Sequence, residues 1–263
     1  RSIWKQCGLL RPASLIGIAE VENNRVIAKL LASKKLKDIP YDYVHFDSPD
    51  ERGIDTGLIY HKEHFEVTSA ETIALLVENT NGDRDLTRDI LYVHGKLNGE
   101  VIHIFVNHWP SRRDGADKTA YKRIVAAKTV LSKVESIVNE NAGANIVIMG
   151  DFNDDPTSES MKTMMQTGLF INPMEKLLSP NGGSANYKGE WSLFDQIILS
   201  HSFLNFEPNT HSFKKASVFK PKFLREWKGK YKGNPYRTYA GKKYIGGYSD
   251  HFPVYVRLKF NLK

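Results

Sequence analysis

Asp89-Ile90-Leu91-Tyr92-Val93-His94-Gly95-Lys96-Leu97-Asn98-Gly99-Glu100-Val101-Ile102-His103-Ile104-Phe105-Val106-Asn107-His108-Trp109 is the stretch that decides the fold. Its two arms, Asp89 to Leu97 and Val101 to Trp109, are rich in β-branched and aromatic residues, and Asn98-Gly99 between them predicts a hairpin turn. A hairpin forces antiparallel pairing. That counts against a doubly wound parallel sheet, as does the lack of a Gly-rich phosphate loop after any strand.

Working outward, strands are predicted at Leu15 to Val21, Tyr41 to Phe46, Asp55 to Tyr60, Phe65 to Val77, Asn145 to Phe152, Leu193 to Leu199 and Phe252 to Phe260. Asn23 caps a helix running towards Ser33. A long helix is expected over Lys118 to Asn141, where Ala120, Ile124, Ala127, Val130, Leu131, Val134 and Val138 keep three-to-four spacing, and a shorter one from Thr157 to Thr167. There is no internal repeat. Many strands with few helices between them predict an α/β fold in which two mainly antiparallel sheets pack face to face with helices outside.

The 263 residues, 41% hydrophobic, suffice for one large core, and a single domain over 1–263 is expected. No apolar run reaches the roughly 18 residues of a membrane span. A soluble protein and a monomer are expected. The chain begins with Arg1, so processing leaves the compartment open, secreted and periplasmic addresses included. With Cys7 alone, a zinc site of several thiolates is excluded, and any metal must be bound through oxygen or imidazole. The formal charge of +7 is uneven: from Phe213 to Tyr244 eleven Lys or Arg stand against one acid, Glu226, while the rest of the chain has 26 basic and 29 acidic residues. Such a segment reads as a polyanion site or as a solvated loop.

Three segments, Asn107 to Ser111, Gly150 to Asp154 and Ser249 to His251, carry chemistry at the ends of predicted strands, and Glu20 and Asp195 add to them. His108 continues the row of Ile102, Ile104 and Val106 to its strand's rim, and Arg112-Arg113 beyond it offers guanidinium groups suited to phosphate. Asp151 follows Val147 and Met149 on one face, with Asn153 a step further round, and a carboxylate beside an amide suits hydrolysis. Asp154 and Asp155 are read instead as a turn and helix start. Asp195, between apolar residues, must find a cationic partner, for which His251 is the candidate. Glu20 and Asp250, each at a strand terminus, are the best oxygen ligands for a hard ion, Mg²⁺ or alternatively Mn²⁺.

In order, Ala19-Glu20-Val21, Asn107-His108-Trp109-Pro110-Ser111, Gly150-Asp151-Phe152-Asn153, Phe194-Asp195-Gln196-Ile197 and Ser249-Asp250-His251 resemble the endonuclease/exonuclease/phosphatase superfamily. Glu20-Val21-Glu22-Asn23 and Arg52-Gly53-Ile54-Asp55 look closer to its bacterial uncharacterised or nuclease-like members. The resemblance implies a four-layer α/β sandwich. It also implies that Glu20 and Asp250 hold the metal, that Asp151 positions or deprotonates the attacking water, that His108 and Asn153 hold phosphate oxygens, and that Asp195 pairs with His251. One departure stands out: such proteins begin with a strand bearing an asparagine, which Ile3-Trp4-Lys5-Gln6-Cys7-Gly8 does not match.

A metal-dependent phosphoesterase acting on nucleic acid is therefore expected, with Phe219, Phe223, Trp227, Tyr231, Tyr236, Tyr239 and Tyr244 interleaved among lysines as stacking surfaces. The four-residue recurrence of Phe219, Phe223, Trp227 and Tyr231 equally predicts a helical stripe packed on the core, and that reading is preferred. The rivals are a phosphatase or phosphodiesterase on a small phosphorylated molecule or lipid headgroup, and a non-catalytic binding module.

Overall fold

A computed structural model describes residues 12–262; the departure at Ile3–Gly8, and Cys7 with it, lies outside them. In chain order the main elements are β1 (Leu15–Val21), α1 (Asn24–Leu31), β2 (Tyr41–His45), β3 (Asp55–His61), β4 (Phe65–Ile73), β5 (Ile90–Leu97) and β6 (Glu100–His108). There follow α2 (Ala116–Glu140), β7 (Ile146–Asp151), α3 (Glu159–Met165), β8 (Phe170–Ile171), β9 (Asp195–Ser200), β10 (His211–Val218) and β11 (Val254–Phe260). The fold is mixed α/β, as the sequence predicted.

The deciding hairpin forms at its expected place. Asn98 and Gly99 both have positive φ, 49° and 90°, which matches the right-handed twist of the flanking strands, and Leu97 pairs with Glu100. Around it a six-stranded sheet runs β8-β9-β7-β6-β5-β4. Its β6–β7 pair is parallel, because α2 carries the chain back across the sheet, while the remaining pairs are antiparallel. A three-stranded antiparallel sheet, β1-β3-β2, and the β10–β11 ladder stand apart from it.

Alternation along the strands sorts the core. On one face of the large sheet Tyr92, Phe105, Ile146, Ile148 and Ile198 pack against Ala127, Val130, Val134 and Ile137 of α2 and Met161 and Met164 of α3. On the other, Ile104, Val106, Val147, Met149 and Ile197 meet Leu58 of β3 and the half-buried Val254, Val256 and Leu258 of β11. Each such aliphatic side chain, fully buried, stabilises by roughly 1.5–3 kcal/mol relative to exposure. Ile27 of α1 covers Val21, Tyr41 and Ile59 on the far side of the small sheet; α1 starts where Asn23 Oδ1 accepts the Arg25 and Val26 amides, the cap read from the sequence.

Two expectations change. The Phe65 to Val77 run stops at Ile73, and Val77–Glu78 pairs separately with Arg84–Asp85. The helical stripe does not form: β10 precedes it, a single 3-10 turn spans Lys222–Leu224, and although Phe219 is buried, Trp227 and Tyr231 are 68% and 56% exposed. Pro221 and Gly229 interrupt any helix there, and Gly229 takes positive φ. β10 itself was missed because Lys214-Lys215 and a register shift between Phe213 and Lys215 break its alternation.

Candidate active site

The seam between the large sheet and the β3 and β11 side ends in a row of ionisable groups. His108, Asp151 and Asp195 are direct cross-strand partners on β6, β7 and β9, and they continue the inward apolar rows of those strands. One step before the row, Gly150 (φ 138°) lies against β6 so closely that a Cβ would sit 2.0 Å from the Asn107 carbonyl oxygen. Glycine is needed there to bring His108 and Asp151 level.

His251 closes the row from the start of the β11 segment. Its Nδ1 is 2.8 Å from Asp195 Oδ2 and 4.0 Å from Asp151 Oδ2, while His108 Nε2 is 3.6 Å from the same Asp151 oxygen. A bridge from Ala185 to His251, the Phe252 amide donating to the Ser184 carbonyl, and the His251 amide donating to Ser249 Oγ fix its backbone. The expected partnership of Asp195 with His251 is therefore present as a hydrogen bond.

The three sites carry different charge. Burial first, then the Asp195 charge, raise the Asp151 carboxyl to about 6 against the opposing pull of His251, the Asn153 amide and Arg88. Burial alone would lower His251, but the charge and hydrogen bond of Asp195, with the charges of Asp151 and Asp250, outweigh it and raise the imidazole to about 10. His108 is pushed well below the usual histidine range by burial and by Arg88, Arg52 and His251. At neutral pH Asp151 is thus a carboxylate, His251 an imidazolium and His108 a neutral imidazole.

Asn153 (φ 50°) turns the chain out of β7; its amide donates to Asp151 Oδ1 (2.8 Å) and its Nδ2 to the Trp109 carbonyl (2.9 Å). Arg112 is committed to that turn: Nε donates to the Asn153 carbonyl (2.6 Å), a terminal nitrogen to Asp154 Oδ1 (2.7 Å), and the guanidinium lies over the Phe194 ring. It braces the rim rather than facing outward for a phosphate. Asp154 is buried between Arg112, Arg123 and Ser160, and Asp155 accepts the Leu193 amide, in keeping with their reading as turn residues. His108, its side chain 3% exposed, faces Asp151 instead of open space. Sequence reasoning missed Arg88, buried with Asp50 at 3.0 Å and donating to the Trp109 carbonyl (2.6 Å); in the polar run Asp83 to Asp89 no periodicity marks it as inward.

Among the described residues, the Glu20 and Asp250 side chains form no hydrogen bond or ion pair with this row. Glu20 is the extra residue of a bulge between Ala19 and Val21, with φ 59°, so its carboxylate turns outward, facing Arg52 at 3.6 Å. Asp250 faces Arg237 at 4.0 Å. Both are exposed oxygen donors held, among the described residues, by these long contacts, a donor chemistry that fits a hard divalent cation. A second group, unforeseen from the sequence, places ligand atoms of His45, Asp47 and Asp55 within 4.8 Å of one another, beside Glu20 because Asp55 pairs with Val21. Asp55 Oδ1 already accepts the amide and hydroxyl of Ser48, and Oδ2 lies 3.0 Å from His45 Nε2.

A model of the Endonuclease/Exonuclease/phosphatase family matches residues 3–260. Rat Nocturnin is 26% identical over 154 residues, which cover 58% of this chain and 33% of that protein. The match thus spans about a third of the length of this curated relative and of mouse Nocturnin. Among solved structures, a mannosyl-6-phosphatase of Bacteroides thetaiotaomicron superposes with TM-score 0.64 at 18% identity, covering 98% of this chain and 88% of its own. An endonuclease/exonuclease/phosphatase family protein of the same species gives 0.66 at 20% (99% and 87%). D. rerio TDP2 complexed with a single strand DNA product gives 0.59 at 15% (94% and 86%). At these identities the superpositions establish a common fold.

Proposed function

The chain belongs to the endonuclease/exonuclease/phosphatase family, whose members are hydrolases of phosphoester bonds, and from that premise we propose that it cleaves phosphodiesters of nucleic acid. The observation that carries the chemistry is the level row His108–Asp151–Asp195 closed by His251. Asp151, held by the Asn153 amide, accepts the proton of the attacking water as its oxygen adds in line to phosphorus, while the P–O ester bond opposite breaks and the departing oxygen takes a proton from solvent. His251, oriented by Asp195, presents a cation to the negative charge that develops on the phosphoryl oxygens. His108 and Arg88 fix the Asp151 and Trp109 sides of the rim, and Asn153 keeps an amide there. Glu20 and Asp250 would hold a divalent ion, Mg²⁺ or Mn²⁺, which supplies charge neutralisation to the phosphoryl group when bound. No covalent intermediate on the protein is required.

Exposed rings support the nucleic-acid substrate. Trp227, Tyr231, Tyr239, Tyr244 and Tyr248 all stand open in the basic segment that leads into His251, and Lys228 Nζ lies 4.3 Å over the Trp227 ring. Bases stack on such surfaces without hydrogen-bond readout. We also read the three core clusters as the seams of one four-layer sandwich, helix on sheet on sheet on helix.

The experiment is a substrate panel with Mg²⁺ and Mn²⁺: single- and double-stranded DNA, RNA, a sugar phosphate, inositol phosphates and sphingomyelin. Strand cleavage is expected, with single strands preferred. Release of inorganic phosphate from the small substrates without strand cleavage, the activity that the mannosyl-6-phosphatase likeness favours, would replace the nuclease reading.

A further inference from the structure

The hairpin in which Ala185–Tyr187 pairs with Glu190–Ser192 carries Trp191 into a cationic cleft of about 250 Å³, lined also by Asn181, Lys220, Arg225, Lys232 and Asn234. It is a built feature. Backbone pairing of Arg225 with Pro235, and of Glu226 with Asn234 and Gly233, folds one wall, and Asn234 Nδ2 donates to Asn186 Oδ1 (2.9 Å), tying that wall to the hairpin that carries Trp191. The same hairpin reaches the catalytic row: Ala185 pairs with His251, and the Trp191 ring stacks on Phe252 with centroids 6.1 Å apart.

Three cations line this cleft and no carboxylate does. Among the described residues, Lys220, Arg225 and Lys232 form no ion pair, whereas Lys122, Lys133, Arg88 and Arg112 elsewhere all do. Like charges gathered without a counter-charge repel one another, and an anion drawn between them relieves that repulsion. A guanidinium offers paired donors to phosphate oxygens and an indole offers a flat face for the attached sugar or base.

We propose that this cleft binds the phosphate next to the scissile one on a nucleic-acid strand, so that it sets how the strand is threaded past His251. This rests on the nuclease reading above. It adds a phosphate subsite lined in part by the Ala185–Ser192 hairpin, whose Ala185 pairs with His251.

Two measurements test it. The first is binding of a fluorescein-labelled single-stranded oligodeoxynucleotide to the Asp151→Asn protein, followed by anisotropy against salt. Adding Arg225→Gln and Lys232→Gln is expected to weaken binding about tenfold and to lower the log–log salt slope by about 0.7, the release that one single-strand phosphate contact accounts for. Lys118→Gln with Lys128→Gln, both exposed on α2, is the control for total charge; an equal loss there, or no loss in the cleft variant with an unchanged melting temperature, overturns the subsite. The second compares kcat/KM for a dinucleotide with and without a terminal 5′-phosphate. The native protein is expected to prefer the phosphorylated form about tenfold and the cleft variant to lose the preference. An unchanged ratio in the variant sinks the subsite while leaving the nuclease reading intact. If neither dinucleotide nor longer strands turn over, the nuclease reading fails, and the subsite on it fails too.

Discussion

His251 Nδ1 and Asp195 Oδ2 lie 2.8 Å apart although 56 residues separate them in the chain. The bond does two things: it fixes the ring's orientation and it keeps the imidazole charged. Asp195→Asn keeps the shape but removes the counter-charge. The kcat of phosphodiester hydrolysis is expected to fall by about a hundredfold or more with little change in KM, since the charge acts on the transition state. A KM rise with unchanged kcat in steady-state kinetics would reassign the pair to substrate binding.

The acid limb of the pH profile belongs to Asp151. Raised to about 6 by burial and by Asp195, it is the carboxylate base only above that value. Below it, kcat/KM is expected to drop about tenfold per pH unit, measured between pH 4.5 and 8. A profile flat down to pH 4.5 contradicts the assignment.

The same shift costs stability. An acid whose folded pKa exceeds its unfolded one holds its proton longer in the native state, so stability falls as pH rises from the ordinary 3.8 through about 6, and the full penalty applies above that. Asp151→Asn loses the attraction to His251 but escapes the penalty. It is expected to melt a few degrees above the native protein at pH 7.5, with the gain vanishing near pH 4, by thermal unfolding. A lower melting temperature at pH 7.5 would show that Asp151 is net stabilising.

Gly150→Ala tests how the row is levelled. The new methyl group would meet the Asn107 carbonyl oxygen at 2.0 Å in a backbone conformation of φ 138°. β6 and β7 must separate, with an expected loss on the order of 3 kcal/mol or more in chemical unfolding and loss of turnover. A variant that folds with native stability and activity would mean that the strands have slack at this point.

Much of this was legible in the sequence for identifiable reasons. The Asn98-Gly99 turn is a local signal, and the inward rows ending at His108 and Asp151 are period-two patterns, in which a strand's alternation carries its last residue to the same face as the apolar ones before it. Asp195 and His251 were paired by the cost of leaving a carboxylate alone among apolar neighbours. What escaped lacks periodicity. Arg88 is buried by tertiary contacts that no local pattern encodes, Glu20 is turned outward by a bulge, and Arg112 is drawn to Asn153 and Asp154 across more than forty residues. The aromatic spacing from Phe219 to Tyr231 mimicked a helix, yet Pro221 and Gly229 within it keep the segment irregular and leave Trp227 and Tyr231 open.

The central claim is that this row hydrolyses phosphoesters with Asp151 as base. It is tested most directly by Mg²⁺-dependent hydrolysis of bis(p-nitrophenyl) phosphate, native protein against Asp151→Ala, with the fold of both checked by circular dichroism. The expected result is EDTA-sensitive turnover by the native protein and a kcat at least about a hundredfold lower in the variant. Turnover by a folded Asp151→Ala protein within about threefold of native would contradict it.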